Sequence, residues 1–137
     1  MGTPNEVNGA IVVIDDDALN IKLVTTVLAK QGYAYFSAQS AEEGIELIRV
    51  HRPRLVLMDI HLPGVDGLTA PKAIKQDPDI GYVTVVILSA MGETPSALEA
   101  AGAAGVITKP FSLAQFSKSI AEFFENGTST AYDQQPN

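Results

Sequence analysis

An α/β domain built on a five-stranded parallel sheet, with helices over both faces, is the fold the sequence predicts. Three observations carry that prediction. Short aliphatic runs recur along the chain at Ile11–Ile14, Tyr33–Ala38, Leu55–Asp59, Tyr82–Leu88 and Gly105–Thr108. Most of them are near-continuously apolar rather than alternating, as strands buried on both faces are. Segments with helical spacing and capping signals separate them, so strand and helix alternate in the manner of βα units. No internal repeat points to a solenoid.

The chain supports each element in turn. Met1 to Asn8 has no periodicity and reads as a flexible tail, which leaves residues 9–125 as the folded domain and residues 126–137, rich in Gly, Ser, Thr, Asn and Gln, as a second tail. After Ile11–Ile14, the residues Ile21, Val24 and Leu28 form one helical stripe with Leu23 and Val27 beside it, and Gly32 stops that helix. Ser40 and Glu43 have capping-box spacing for a helix that buries Ala41, Ile45 and Ile48 and ends at Pro53. A third helix is expected from Gly67 to Gln76, either kinked by Pro71 or confined to the residues after it. Thr94-Pro95 suits the start of a short fourth helix, Ala97–Ala101, stopped by Gly102. Ser112 and Gln115 repeat the capping spacing before a last helix whose apolar face is Leu113, Phe116, Ile120 and Phe123.

Composition narrows the function. A chain of 137 residues is one domain by length. Its net charge of −7, with no basic run, argues against a nucleic-acid or anionic-membrane surface. With no cysteine, disulfides, thiolate metal sites and a Cys nucleophile are excluded. No leader-like or membrane-spanning stretch is visible, so a cytoplasmic protein is expected.

In a parallel sheet the carboxyl ends of the strands open onto one edge, where such folds bind ligands. Asp15, Asp16, Asp59, Ser89 and Lys109 all fall at strand ends. Each has a plainer explanation: Asp59 as a turn cap, Asp16 or Asp17 as a helix N-cap, Ser89 as a turn former, Lys109 as a solvated charge. Together they form a pattern. Three or more carboxylates in one crevice repel one another and stay ionised when a cation sits among them. Oxygen ligands select a hard cation, and Mg²⁺ fits best. A metal-bound carboxylate beside a lysine and a hydroxyl suggests phosphoryl transfer with Asp59 as the nucleophile.

At this point the residues resemble a known family, the receiver domains of two-component response regulators. The resemblance rests on Val13-Ile14-Asp15-Asp16-Asp17, on Leu57-Met58-Asp59-Ile60-His61-Leu62-Pro63-Gly64-Val65-Asp66-Gly67, on Leu88-Ser89-Ala90 and on Thr108-Lys109-Pro110-Phe111, and it covers about residues 10 to 125. It implies a flavodoxin-like, doubly wound (βα)5 fold with strand order 2-1-3-4-5. It further implies that Asp59 takes a phosphoryl group from the phosphohistidine of a histidine kinase or histidine phosphotransfer protein. Asp15 and Asp16 would position Mg²⁺, Asp59 and the main-chain carbonyl of His61 would join them, and Ser89 and Lys109 would read the phosphate. His51 and the His61 side chain are expected as surface loop groups. Such a protein phosphorylates itself and slowly dephosphorylates, rather than turning over a substrate, and it signals to a downstream effector protein in a phosphorelay.

The chain departs from the family in three places. Receivers usually carry Tyr or Phe three residues before the lysine, where this chain has Val106, so an aromatic-coupled switch cannot operate in its usual form. Met91 to Gly102 looks about two residues short, and Pro71 is unusual. Two other readings compete. A pseudo-receiver would keep the fold for protein binding alone, which Val106 favours and the intact acidic set opposes. A Mg²⁺-dependent phosphohydrolase of the haloacid-dehalogenase type needs an Asp two residues after the nucleophile, where His61 stands.

Overall fold

The structure, a computed structural model, describes residues 9–59, 69–89, 102–108 and 112–126. Five strands and four helices lie among them. In chain order they are β1 (Ile11–Ile14), α1 (Ala18–Lys30), β2 (Tyr35–Ala38), α2 (Ala41–His51), β3 (Leu55–Asp59), α3 (Thr69–Gln76), β4 (Thr84–Ser89), β5 (Gly105–Thr108) and α4 (Leu113–Asn126). The strands form one sheet in the order β2-β1-β3-β4-β5, and every pairing is parallel. That is the expected architecture. The fourth expected helix, Ala97–Ala101, and both expected tails up to Asn8 and beyond Asn126 lie outside the described residues.

Alternate residues of each strand face opposite ways, and two cores result. On one face Val12, Ile14, Val56, Met58, Val85 and Ile87 pack with Ala41 and Ile48 of α2 and Ala70 and Ile74 of α3. On the other, Ile11, Val13, Leu55, Leu57, Val86 and Leu88 pack with Val24, Val27 and Leu28 of α1 and with Phe116, Ile120, Phe123 and Phe124 of α4. The central strands β1 and β3 are buried along their whole length, which is why their sequences are unbroken apolar runs.

The capping signals at Ser40 and Ser112 hold, and the one at Thr94-Pro95 lies outside the described residues. Ser40 Oγ accepts from the Glu43 amide at 3.1 Å, and the Glu43 carboxylate accepts in return from the Gln39 amide. Ser112 Oγ accepts from the Gln115 amide at 3.1 Å. Gly32, at φ +87°, closes α1 in a Schellman turn, with its own amide on Ala29 O and the Tyr33 amide on Leu28 O.

Several expectations need correction. Tyr33 belongs to that turn, so β2 starts only at Tyr35. β4 starts at Thr84 rather than Tyr82, because Tyr82 is held in the preceding turn, where its hydroxyl donates to Pro53 O. α3 is not confined to the residues after Pro71; Pro71 is its third residue, inside the first turn, where no backbone amide needs an intrahelical partner. Leu23 and Leu113 are exposed, so the buried stripes of α1 and α4 are narrower than expected at those positions. His51 is the last residue of α2 rather than a loop group, and its ring stacks on Phe36 with centroids 3.6 Å apart. Helix α4 runs through Asn126, one residue past the expected end of the domain.

Candidate functional site

The register of the two central strands builds the site. Ile14 of β1 pairs with Met58 of β3, so the next residues, Asp15 and Asp59, leave neighbouring strands side by side. Both are buried, at 1% and 5% exposure, although each carries a carboxylate. Carboxylates are rarely placed so deeply without a functional or structural reason. Asp16, one residue on, is exposed.

Three consecutive acids follow β1, and the structure gives them different work. The Asp17 carboxylate accepts from the Leu19 amide at 2.9 Å and is the N-cap of α1. Asp15 Oδ1 accepts from the Asp17 amide at 2.9 Å, which turns its side chain back over the strand end. The choice of N-cap, open between Asp16 and Asp17 in the sequence, therefore falls on Asp17, and Asp15 and Asp16 remain with Asp59. Each of these three offers a carboxylate oxygen, and the three atoms lie within 4.8 Å of one another. They combine a wall of two buried groups with one that faces solvent.

Such a set fits Mg²⁺. The donors are all hard oxygens, three of them gather in one place, and the exposed side leaves room for the waters that Mg²⁺ retains. No His or Cys joins the cluster among the described residues.

The other half of the expected site is placed by backbone alone. Leu88 of β4 pairs with Asp59, so Ser89 lies one residue beyond the level of the buried acid. Ser89 in turn pairs with Thr108, the last residue of β5, which Lys109 follows directly in the sequence. Strand order and register thus bring the acid-bearing and hydroxyl-bearing ends to the same edge. His61 and Lys109 themselves lie outside the described residues. Val106 is partly buried against the core shared by α2 and α3.

Comparison with known proteins bears on the family and the fold. The profile of the response regulator receiver domain matches residues 11–121. The polar-differentiation response regulators DivK of Brucella anthropi and Brucella ovis are each 31% identical to the chain over 116 residues, covering 83% of it and 94% of their own length. The chemotaxis response regulator CheY4 of Vibrio cholerae superposes with a TM-score of 0.77 at 20% identity, over 83% of this chain and 97% of that one. A CheY-like receiver domain protein from Methanospirillum hungatei does so with a TM-score of 0.78 at 23% identity, over 85% and 94%. At those identities the two structures speak to the fold.

Proposed function

Because the chain belongs to the family of response regulator receiver domains of two-component signal transduction, we propose that it is a phosphoacceptor, modified on Asp59. The observation that carries this reading is the convergence of Asp15, Asp16 and Asp59 at adjoining strand ends, with two of the three buried. In the proposed step an Asp59 carboxylate oxygen attacks phosphorus, the P–N bond of a donor phosphohistidine breaks, and the imidazole leaves with the bonding electron pair. Asp15 and Asp16, with Asp59 and the His61 carbonyl, hold Mg²⁺. When bound, the ion neutralises charge on the phosphoryl oxygens. Ser89 donates a hydrogen bond to one of those oxygens, and the Lys109 ammonium pairs with another. The donor is a histidine kinase or histidine phosphotransfer protein, the output is a changed interaction with an effector protein, and the setting is the cytoplasm. Among the described residues no helix is long and apolar enough to cross a membrane.

A second reading, the pseudo-receiver, draws on Val106, which offers no ring to follow the phosphate-reading hydroxyl. Intact-mass analysis after incubation with acetyl phosphate separates the two. The phosphoacceptor reading expects one phosphoryl adduct that requires both Mg²⁺ and Asp59 and is lost in Asp59→Asn. A folded protein that takes no adduct under any condition supports the binding module instead.

A further inference from the structure

The turn between α3 and β4 lies at the edge of the sheet opposite the acids, and it is tightly built. Asp77 Oδ1 accepts from the Asp79 amide at 2.8 Å and the Ile80 amide at 3.3 Å, and the Gly81 amide donates to Asp77 O at 2.8 Å. A Cβ at Gly81 would meet Lys75 O at 2.6 Å and Asp77 O at 2.7 Å, so backbone closes on backbone there. Ile80 and Val83 anchor the turn in the core.

Lys75, near the end of α3, reaches across this turn. Its ammonium donates to Gly81 O at 2.9 Å and to Val83 O at 2.7 Å. On its other side its stem lies against Gly102, where an added Cβ would come within 2.7 Å of Lys75 Cγ. Burial lowers the pKa of this amine from the ordinary lysine value. A lysine serving as a solvated charge would keep its ammonium in water, whereas this one is spent on two backbone carbonyls.

The contacts of Lys75 fall on the beginnings of two neighbouring strands. Val83 immediately precedes β4. Gly102 stands three residues before β5, and the Ala104 amide already donates to Val85 O at 2.8 Å. At their far ends these strands carry the paired residues Ser89 and Thr108. We propose that Lys75 is a positioning residue: by clasping Val83 and Gly102 it sets β4 against β5, and so sets Ser89 relative to Thr108, the strand end that Lys109 follows in sequence, for reading the phosphoryl group. This rests on the roles proposed for Ser89 and Lys109. Lys75 makes no hydrogen bond to β1 or β3 among those described, so the acid cluster should be indifferent to it.

The test uses the full chain and Lys75→Met, which keeps an apolar stem against Gly102 and removes the donors; Lys75→Leu, which also lacks a donor, is read in the same way should the first variant not fold. Three quantities are measured: Mg²⁺ affinity by calorimetry, the rate of adduct formation with acetyl phosphate, and amide hydrogen exchange. The expected result is Mg²⁺ affinity within about twofold of wild type, an adduct rate or lifetime changed by roughly fivefold or more, and faster exchange in β4 and β5 with β1 and β2 unaltered. Arg49→Ala is the structural control, because it loosens the same turn through its ion pair with Asp77 without touching Gly102. If that control changes the adduct rate as much as Lys75→Met does, or if Mg²⁺ affinity and adduct rate fall together, Lys75 is merely structural. If wild type takes no adduct, the phosphoacceptor reading fails on its own, and the positioning role is then decided by exchange, with unchanged protection of β5 in Lys75→Met overturning it.

Discussion

The two ends of the sheet treat charge in opposite ways. At the carboxyl ends of β1 and β3, three carboxylates converge within 4.8 Å and two of them are buried. At the other end, Asp77 and Asp79 are met by Arg49 and Arg52 across the gap between α2 and the turn after α3, with both arginines substantially exposed. Exposed pairs of this kind add little net stability, and they ask nothing of a ligand. A buried concentration of one sign does the reverse: it is unfavourable in itself and becomes favourable when a cation is added. One end thus concentrates charge of one sign, and the other pairs opposite signs.

Four experiments probe that contrast, and the largest effect belongs to the acid end. Asp59→Asn should abolish the phosphoryl adduct while leaving a folded protein, as read by intact mass beside circular dichroism; full labelling of the variant would place the nucleophile elsewhere. Next, Mg²⁺ should raise the thermal midpoint of wild type, by about 2.7 kcal/mol of added stability at a hundredfold excess over Kd, and Asp15→Asn should lose most of that gain. The Asp15 change is mild sterically, because an asparagine oxygen can still accept from the Asp17 amide. A magnesium response that survives intact in this variant would remove Asp15 from the ligand set.

For the two changes at the opposite end the quantity read is stability. Gly81→Ala should destabilise by about 2 kcal/mol in denaturant unfolding, since its methyl group would press on two backbone oxygens that side-chain motion cannot relieve. Magnesium affinity should not follow it, and a parallel loss would mean that the two ends are coupled more broadly than Lys75 alone provides. Smallest of all is the Arg49–Asp77 pair. The Arg49 hydrogen bond, with further help from the Asp79 amide, holds the Asp77 pKa below its usual 3.8. Its contribution is therefore present above that unfolded-state value and lost as pH falls through the lower folded one. Arg49→Ala should be slightly less stable than wild type at neutral pH and low salt, with the difference fading in strong acid and at high ionic strength. A difference that persists unchanged at pH 2 would show that the pair is not its source.

Much of this layout was legible in the residues. Ile11–Ile14, Leu55–Asp59 and Gly105–Thr108 were bounded correctly because unbroken apolar runs end there at acids or at Lys-Pro. The acid cluster followed from the parallel topology, which turns scattered strand ends into one edge. What failed to show lies in contacts that strand propensity and helical period do not encode. Tyr33 and Tyr82 look like strand residues by propensity, yet one completes the turn after α1 and the other bonds across to Pro53, twenty-nine residues away in sequence. Leu113 fits the helical period of α4 but lies on its first turn, beyond the reach of the sheet. Lys75 carried no local signal at all, for nothing nearby in the chain announces that Gly81, Val83 and Gly102 will gather around it.

The strand order also bears on how the chain assembles. Once β1 and β2 have paired, β3 adds beside β1, β4 beside β3 and β5 beside β4, so each later strand docks on an edge that its predecessors have left open. No strand ever has to be inserted between two already joined. A chain synthesised from its amino terminus can therefore extend the sheet in the order in which it emerges, closing the first three crossovers over α1, α2 and α3, and the acid pair on β1 and β3 comes together before the strands that end at Ser89 and Thr108 have been made.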